Sequence, residues 1–152
     1  MTMRFFVAIC FTFASLTVQC AEAFNLVPID SDGLIVCPVK ADGESPPQFN
    51  EPGCRTVSAD QLDPQNTVIW VKANIPVPAS MLSGGQPLGV YISGKTSSRV
   101  YFNGSYLGLN GTPSLLERDE FPGKIDAKFF VPAGLVNEGD NQIVLQLSLI
   151  HI

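Results

Sequence analysis

Apolar and polar residues alternate along several short segments of the chain, with the period of two that is typical of β-strands. The clearest segment is 67–77, where aliphatic side chains take one face and Trp70 lies on the other. Pro76 and Pro78 mark its end, because proline lacks the amide hydrogen that a strand ladder needs. The same pattern predicts shorter strands at 34–36, 88–93, 99–102, 105–109, 125–131 and 141–147.

Turn-forming residues separate these segments. Asn103-Gly104 is the strongest short-range signal of a β-hairpin, because both central residues of its tight turn need a positive φ, and Asn110-Gly111 repeats that chemistry. Both asparagines also match the glycosylation pattern, but the turns explain them without a glycan. No segment after the first residues shows helical periodicity. We therefore predict an all-β fold, an antiparallel β-sandwich over residues 67–146 that follows an N-terminal arm at 24–66.

Residues 1–23 are predicted to be a secretory signal peptide. Arg4 precedes an apolar run over residues 5–18, and Ala21-Glu-Ala23 offers small residues for cleavage. The run is too short for an ordinary membrane-spanning helix, although a retained N-terminal anchor is the alternative. Cys20 would allow a lipoprotein, but Gln19 fits that signal poorly. The leader predicts that the remaining chain is exported to the periplasm or another extracytoplasmic compartment.

Cys37 and Cys54 are the cysteines that would remain after this cleavage. In an exported protein an even pair predicts a disulfide, here around a loop rich in proline, glycine and acidic residues. Closing a loop of this length stabilises a protein by about 3 kcal/mol in the chain-entropy model. Two buried free thiols are the alternative. A metal site is a weaker one, because no histidine or further cysteine stands nearby.

The last residues of the chain, 147–152, read Leu-Ser-Leu-Ile-His-Ile. This run looks like one reading frame of the transposase adapter used in preparing sequencing libraries, and it interrupts a predicted strand without a turn. We expect residues 147–152 to be an adapter artefact, with a genuine strand ending as the alternative. On the artefact hypothesis His151, the only histidine of the chain, is not native.

Charge and missing side chains argue against several classes of function. The formal net charge is −5 without clusters of Lys or Arg, which argues against nucleic acid or an anionic membrane as a partner. A Ser-His-Asp or Cys-His site needs an imidazole, and no native histidine supplies one. The acidic stretch carries the carboxylates of Glu117, Asp119, Glu120 and Asp126. Their spacing does not match the order of a calcium-binding loop, so we predict a solvated loop. A glycosidase needs a carboxylic acid with a raised pKa, and nothing in the sequence buries one here. We predict no catalytic residue, metal or cofactor here.

Three aromatic side chains remain as weak candidates for ligand binding. If the strands run as predicted, Trp70, Tyr91 and Tyr101 lie on the face opposite the aliphatic one, with Tyr106 just beyond the hairpin turn. Aromatic rings with a polar tip suit stacking on a sugar or packing against a partner domain. The alternative, which we favour, is that the arm covers them as a second core layer.

Two groups of residues carry a family resemblance. The run Val100-Tyr-Phe-Asn-Gly-Ser-Tyr-Leu-Gly108, with the distant Val131-Pro-Ala-Gly-Leu-Val-Asn-Glu-Gly-Asp-Asn141, resembles galactose-binding-like jelly rolls, in particular the accessory sandwich of glycoside hydrolase family 2. Gly53-Cys-Arg55 followed by Asn66-Thr-Val-Ile-Trp-Val-Lys72 is similar to the exported sensor region of proteobacterial signalling proteins. In those proteins the sandwich precedes transmembrane helices and a histidine kinase, a diguanylate cyclase or a DNA-binding regulator.

The resemblance implies an extracytoplasmic sensory or ligand-binding domain, a fragment of a bacterial membrane-bound signal transduction protein. The missing C-terminal part would be embedded in the inner membrane and would carry any kinase or cyclase activity. The carbohydrate-binding accessory domain of a secreted glycoside hydrolase and a free-standing periplasmic interaction domain are the alternatives. In each case the expected partner is a small molecule, a carbohydrate or another protein domain.

Overall fold

A computed structural model describes residues 29, 33–83, 85 and 87–149 of the chain. The predicted signal peptide lies outside these residues. The regular structure consists mainly of eight strands: β1 (Leu34–Pro38), β2 (Arg55–Val57), β3 (Val68–Val77), β4 (Leu88–Ile92), β5 (Ser97–Phe102), β6 (Ser105–Asn110), β7 (Ala127–Val131) and β8 (Gly139–Ser148). A single α-helical turn, α1 (Ala79–Ser83), follows β3. No helix among the described residues is long and apolar enough to cross a bilayer.

The strands form two antiparallel sheets of unequal size. The larger sheet has six strands in the order β2-β1-β3-β8-β5-β6, and the smaller consists of β4 and β7. Strands β3 and β8 pair along their whole length at the centre of the larger sheet. The fold is therefore mostly β and antiparallel, as predicted, and it is sandwich-like because the small sheet packs against one face of the large one.

The main core lies between the two sheets. The predicted aliphatic face of β3 supplies one row, and β8 and β5 continue it because directly opposed residues share a face of the sheet. Phe129 and Val131 of the small sheet close the core from the other side. The buried residues of the larger sheet on this inner face are Leu34, Val36, Val57, Ile69, Val71, Ala73, Ile75, Val77, Val100, Phe102, Ile143 and Leu147.

The predicted Asn103-Gly104 hairpin is confirmed, since both residues have a positive φ and Phe102 pairs with Ser105. The side chain of Asn103 has a second role that the turn does not explain. Its amide donates to the Leu135 carbonyl at 2.7 Å and to Asn141 at 2.8 Å, while its oxygen accepts from the Gln142 backbone. The hairpin is thereby tied to the start of β8, thirty-odd residues later along the chain.

The equivalent prediction for Asn110-Gly111 is wrong. Asn110 is the buried last residue of β6, and it is absent from the described non-glycine residues with a positive φ. Its side chain instead bonds to the backbone of Lys124 as donor and acceptor, both at 2.8 Å. Gly111 and Gly123 pack backbone against backbone at this point, where a Cβ on either would collide with main-chain atoms. The pair therefore anchors the long 111–124 loop and does not turn a hairpin.

The structure differs from the prediction at two further places, β2 and the end of β8. The strand β2 was not predicted, because three residues with one buried side chain show no usable alternation. At the other end of the chain, β8 continues through Leu147 and Ser148, both buried, and Leu149 forms an isolated bridge with Gln65. Whether residues 147–152 derive from an adapter stays a prediction.

Candidate functional site: the outer face of the large sheet

The outer face of the large sheet, which points away from the small sheet, is only partly covered. Its first part is a second, smaller core around Trp70, which is fully buried. Phe49 of the arm packs against this cluster, and the indole Nε1 donates to Glu44 Oε1 at 2.9 Å. The arm therefore covers Trp70, as expected from the interpretation of the arm as a second core layer. Trp70 belongs to this core.

A confirmed disulfide holds the arm in place. Cys37 lies in β1 and is bonded to Cys54, so the loop between them is closed onto the sheet edge. Lys40 and Glu51 form an ion pair across the loop. Their hydrogen bond raises the pKa of Lys40 and holds the pKa of Glu51 below its usual value. The Glu44 carboxylate also accepts from the backbone of Lys40 and Ala41, which shapes the turn that carries it.

The acidic loop covers a second part of the outer face, and one prediction about it is wrong. Glu120 is only 7% exposed, and Ser97 Oγ donates to its Oε1 at 2.8 Å. The loop folds over β5 because Asp42 of the arm accepts from Ser114 Oγ and from the backbone of Leu115. Glu120 is therefore a buried structural carboxylate, whereas Glu117 and Asp119 lie on the exposed side. The described residues contain no group of three or more potential metal ligands.

Between these two covers none of the described residues covers the sheet, and we call this area the tyrosine face. Tyr101 is half-buried, and its ring centroid lies 6.0 Å from Trp70 and 5.5 Å from Tyr106. Tyr106 is 54% exposed on the edge strand β6. The opposed pairs of the ladder place three more side chains on the same face. The tyrosine face thus consists of Lys72, Arg99, Tyr101, Tyr106 and Leu109.

The tyrosine face combines exposed aromatic surface with positive charge, although the chain as a whole is acidic. Two phenol rings offer flat apolar surface with a polar tip. Lys72 and Arg99 bring positive charge to one face of a chain whose formal net charge is −5. The Lys72 ammonium also lies 5.1 Å from the centre of the Phe49 ring, which orients it at the border of the arm. Such a surface suits a ligand with a flat apolar side and an acidic group.

Tyr91 does not join the other predicted candidates. It lies on β4, on the solvent side of the small sheet, and is 53% exposed. Its neighbours are Lys128, whose ammonium lies 5.9 Å from the ring centre, and Asp126. Hydrogen bonding to the Asp126 carboxylate raises the pKa of Tyr91. The expectation that Trp70, Tyr91 and Tyr101 share a face is wrong for Tyr91, because its strand belongs to the other sheet.

Sequence reasoning missed Glu44 and Arg99 as members or neighbours of the site. No local pattern links Glu44 to Trp70, which lies 26 positions away. A signal for the tyrosine pair was present, however. A two-residue turn at 103–104 pairs Phe102 with Ser105, so the next pair outwards is Tyr101 with Tyr106.

A cavity of about 280 Å³ lies at the disulfide loop, and its lining includes four prolines and both disulfide cysteines. Its charged groups, Lys40, Glu44 and Glu51, are already bonded to one another or to the loop backbone. We therefore assign no ligand to it. Comparisons of the chain with protein-family models, with curated proteins and with solved structures give no match.

Proposed function

We propose that this chain is an exported recognition domain that binds a small ligand and carries no catalytic residues of its own. In its most specific form, the proposal is the sensory input domain of a bacterial membrane signalling protein. The resemblance of residues 53–72 and 100–141 supports it, as does the mostly β, sandwich-like fold with its disulfide. We further propose that the sandwich is a jelly roll of the galactose-binding-like type.

The tyrosine face is the observation that carries this proposal. It is the part of the outer face that neither the arm nor the acidic loop covers, and Tyr101 is held there between Trp70 and Tyr106. A ring supported from behind loses little conformational freedom when a ligand stacks on it, so less of the contact energy is lost to ordering. The ligand we infer is a carbohydrate or similar small molecule with an acidic substituent.

Signalling would follow from the position of this surface. A ligand on Tyr101 and Tyr106 also contacts the border of the arm at Lys72 and Phe49. Binding there would favour one packing of the arm against the sheet over another. A ligand shifts the populations of the two arm packings only if it binds one of them more tightly than the other. A signalling ligand should therefore change how the arm packs against the sheet. In the full protein that change in packing would pass to membrane helices.

Calorimetric titration with neutral and uronate oligosaccharides tests the site. We expect uronates to bind, and Tyr106→Ala to weaken them by about tenfold through the lost stacking. Tyr91→Ala is the matched control, because Tyr91 is equally exposed on the other sheet and should retain full affinity. Equal losses in the two variants, or no binding by the folded wild type, would overturn the assignment of this surface.

The second candidate function is the accessory carbohydrate-binding domain of a secreted glycoside hydrolase. The open tyrosine pair favours it, since paired aromatic rings are suited to stacking on sugars. A free-standing periplasmic interaction domain is the third candidate function, and it does not require the tyrosine pair to bind a sugar. The genomic reading frame beyond Gln146 separates the three. Transmembrane helices with an output module support the sensor, a catalytic domain supports the hydrolase, and native coding sequence that stops at Ile152 supports the free-standing domain.

A further inference from the structure

The edges of the two sheets differ in how well they are protected against pairing with another strand. An edge strand is normally short, charged, bulged or covered, because its free amide and carbonyl groups recruit further strands. The edge strand β2 has only three residues and begins with the exposed Arg55. The edge strand β6 is interrupted by a bulge at Leu107, and its Gly108 lies against Phe129 of β7.

Among residues 33–83, 85 and 87–149, nothing gives the edge at β4 a comparable protection. Its sequence Leu-Gly-Val-Tyr-Ile carries no charge, bulge or internal proline, and only Pro87 precedes it. In the described part of the chain β4 pairs with β7 alone. The open edge is therefore a regular, uncharged strand of five residues.

Burial shows that the core beneath β4 is incomplete. Phe129 and Val131, two of the three inward residues of β7, are buried, and the third, Ala127 at the start of the strand, is half-buried. The corresponding residues of β4, which are Leu88, Val90 and Ile92, are all only half-buried although they face the same core. Leu88 and Val90 lie opposite the buried Val131 and Phe129 in a continuous ladder, so we infer that the open side of β4 accounts for their exposure. One more strand beside β4 would remove this exposure.

We propose that the missing strand is β4 of a second copy of this chain, paired antiparallel about Val90. In this register Val90 faces Val90 of the second copy, and Leu88 faces Ile92. Each inward position thus meets an aliphatic partner, and no two like charges stand opposite each other. The two small sheets would join into one continuous sheet with the order β7-β4-β4-β7, in which the two β4 edges are both satisfied.

The solvent side of the small sheet fits the same register. Gly89 lies opposite the exposed Phe130 in β7, so one side of that ring has no neighbour on β4. In the proposed pairing, Tyr91 of the second copy lies next to Gly89 and borders Phe130. A large side chain beside a glycine in a neighbouring strand is a recognised way to cover the gap above it. The pairing is symmetric, so the same contact forms twice.

The register is tested by cysteine crosslinking of the full chain, expressed with its own leader into an oxidising compartment. Opposed residues of an antiparallel pair have Cα atoms about 5 Å apart, within disulfide range. We expect Val90→Cys to form a disulfide-linked dimer that reductant dissolves. Ile92→Cys is the matched control, because the two Ile92 positions would lie about 14 Å apart along the strands. Wild type receives the same treatment to account for Cys10 and Cys20.

Sedimentation of the unmodified protein provides a test that needs no substitution in the core. The expected result is a mass that rises with concentration towards twice that of one chain. Phe130→Ala, at an exposed position, should weaken the dimer by about fivefold through the lost aromatic contact. A single-chain mass at every soluble concentration would overturn the proposal. Equal crosslinking at positions 90 and 92, or association only with a different protein, would overturn it as well.

Discussion

The two faces of the large sheet are buried by different means. The inner face carries aliphatic residues and Phe102, and it is covered by a second sheet whose strands contribute the same kind of side chain. The outer face carries Trp70, Tyr101 and buried polar groups, and it is covered by the disulfide loop of the arm and by the acidic loop, neither of which adds a strand to a sheet. Burial on the inner face depends mainly on apolar contact, with the hydrogen-bonded Asn141 at its end, whereas the apolar cluster on the outer face is supplemented by a disulfide, an ion pair and individual hydrogen bonds.

This contrast explains why the candidate site lies where it does. The small sheet occupies the inner face, where its side chains fill the main core. The arm and the acidic loop cover the outer face only where hydrogen bonds hold them against it or to each other. Among the described residues, the area between them at Tyr101 and Tyr106 is uncovered. We expect the inner face to set global stability and the outer face to respond to local changes.

The largest effect is expected at the centre of the inner face. Phe102→Ala should lower the free energy of unfolding by about 4 kcal/mol, because a fully buried ring is replaced by a cavity. Leu109→Ala on the outer face is the control and should cost less than about 0.5 kcal/mol, since Leu109 is exposed. Urea denaturation measures both. Similar losses in the two variants would mean that the faces are not distinct in the way described.

Removal of the disulfide should open the outer face and leave the inner core folded. Replacing Cys37 and Cys54 together by serine should cost about 3 kcal/mol through the freed loop. The emission of Trp70, the only tryptophan, should then shift to the red as the arm detaches, with the far-ultraviolet dichroism of the strands unchanged. Reduction of the wild type should give the same shift. An unshifted emission would show that the arm is held without the disulfide.

The bond between Trp70 and Glu44 is expected to have a smaller effect. Glu44→Ala leaves the buried indole without its acceptor, at a cost of about 2 kcal/mol for a bond to a charged group. The single indole resonance in a nuclear magnetic resonance spectrum reports it directly, since its exchange with solvent should accelerate. Glu138→Ala, at an exposed position near β8, is the control and should leave the resonance protected.

The smallest effect is expected from pH, through the exposed Lys40–Glu51 pair. The pKa of Glu51 is lower in the folded chain than its usual 4.5, so the pair stabilises the arm above that value. The contribution is lost as pH falls through the lowered pKa, because a protonated carboxyl no longer pairs with Lys40. Trp70 emission followed through this acid range should show a small transition that Glu51→Gln abolishes. A transition of the same size in both proteins would assign it to other carboxylates.

Local signals were enough to predict most strands and the disulfide. Alternation located β3, and the Asn103-Gly104 turn set the pairing of β5 with β6, because both signals act between close neighbours in sequence. Membership of the two sheets was not predictable from such signals. The strand β4 has the same apolar and polar alternation as β5, yet it pairs with β7 in the other sheet, and Tyr91 moves away from the tyrosine face with it.

The covers of the outer face were predictable only in part. The arm was expected to cover aromatic residues, since sandwiches commonly bury aromatic side chains between their layers, and it covers Trp70. The burial of Glu120 was not foreseen, because its hydrogen bond comes from Ser97, 23 positions earlier, and its loop is held by Asp42. A charged residue in a polar stretch looks solvated until such distant partners are known.

The central position of β8 has a consequence for the time course of folding. This strand comes last among the described strands, and it lies between β3 and β5, each of which it pairs with along a long ladder. Without β8, the ladders of the large sheet connect only β2-β1-β3 and, separately, the hairpin of β5 and β6. Contacts that span so much of the sequence slow the search for the native state. We therefore expect the large sheet to close only when β8, the last of the described strands, is in place.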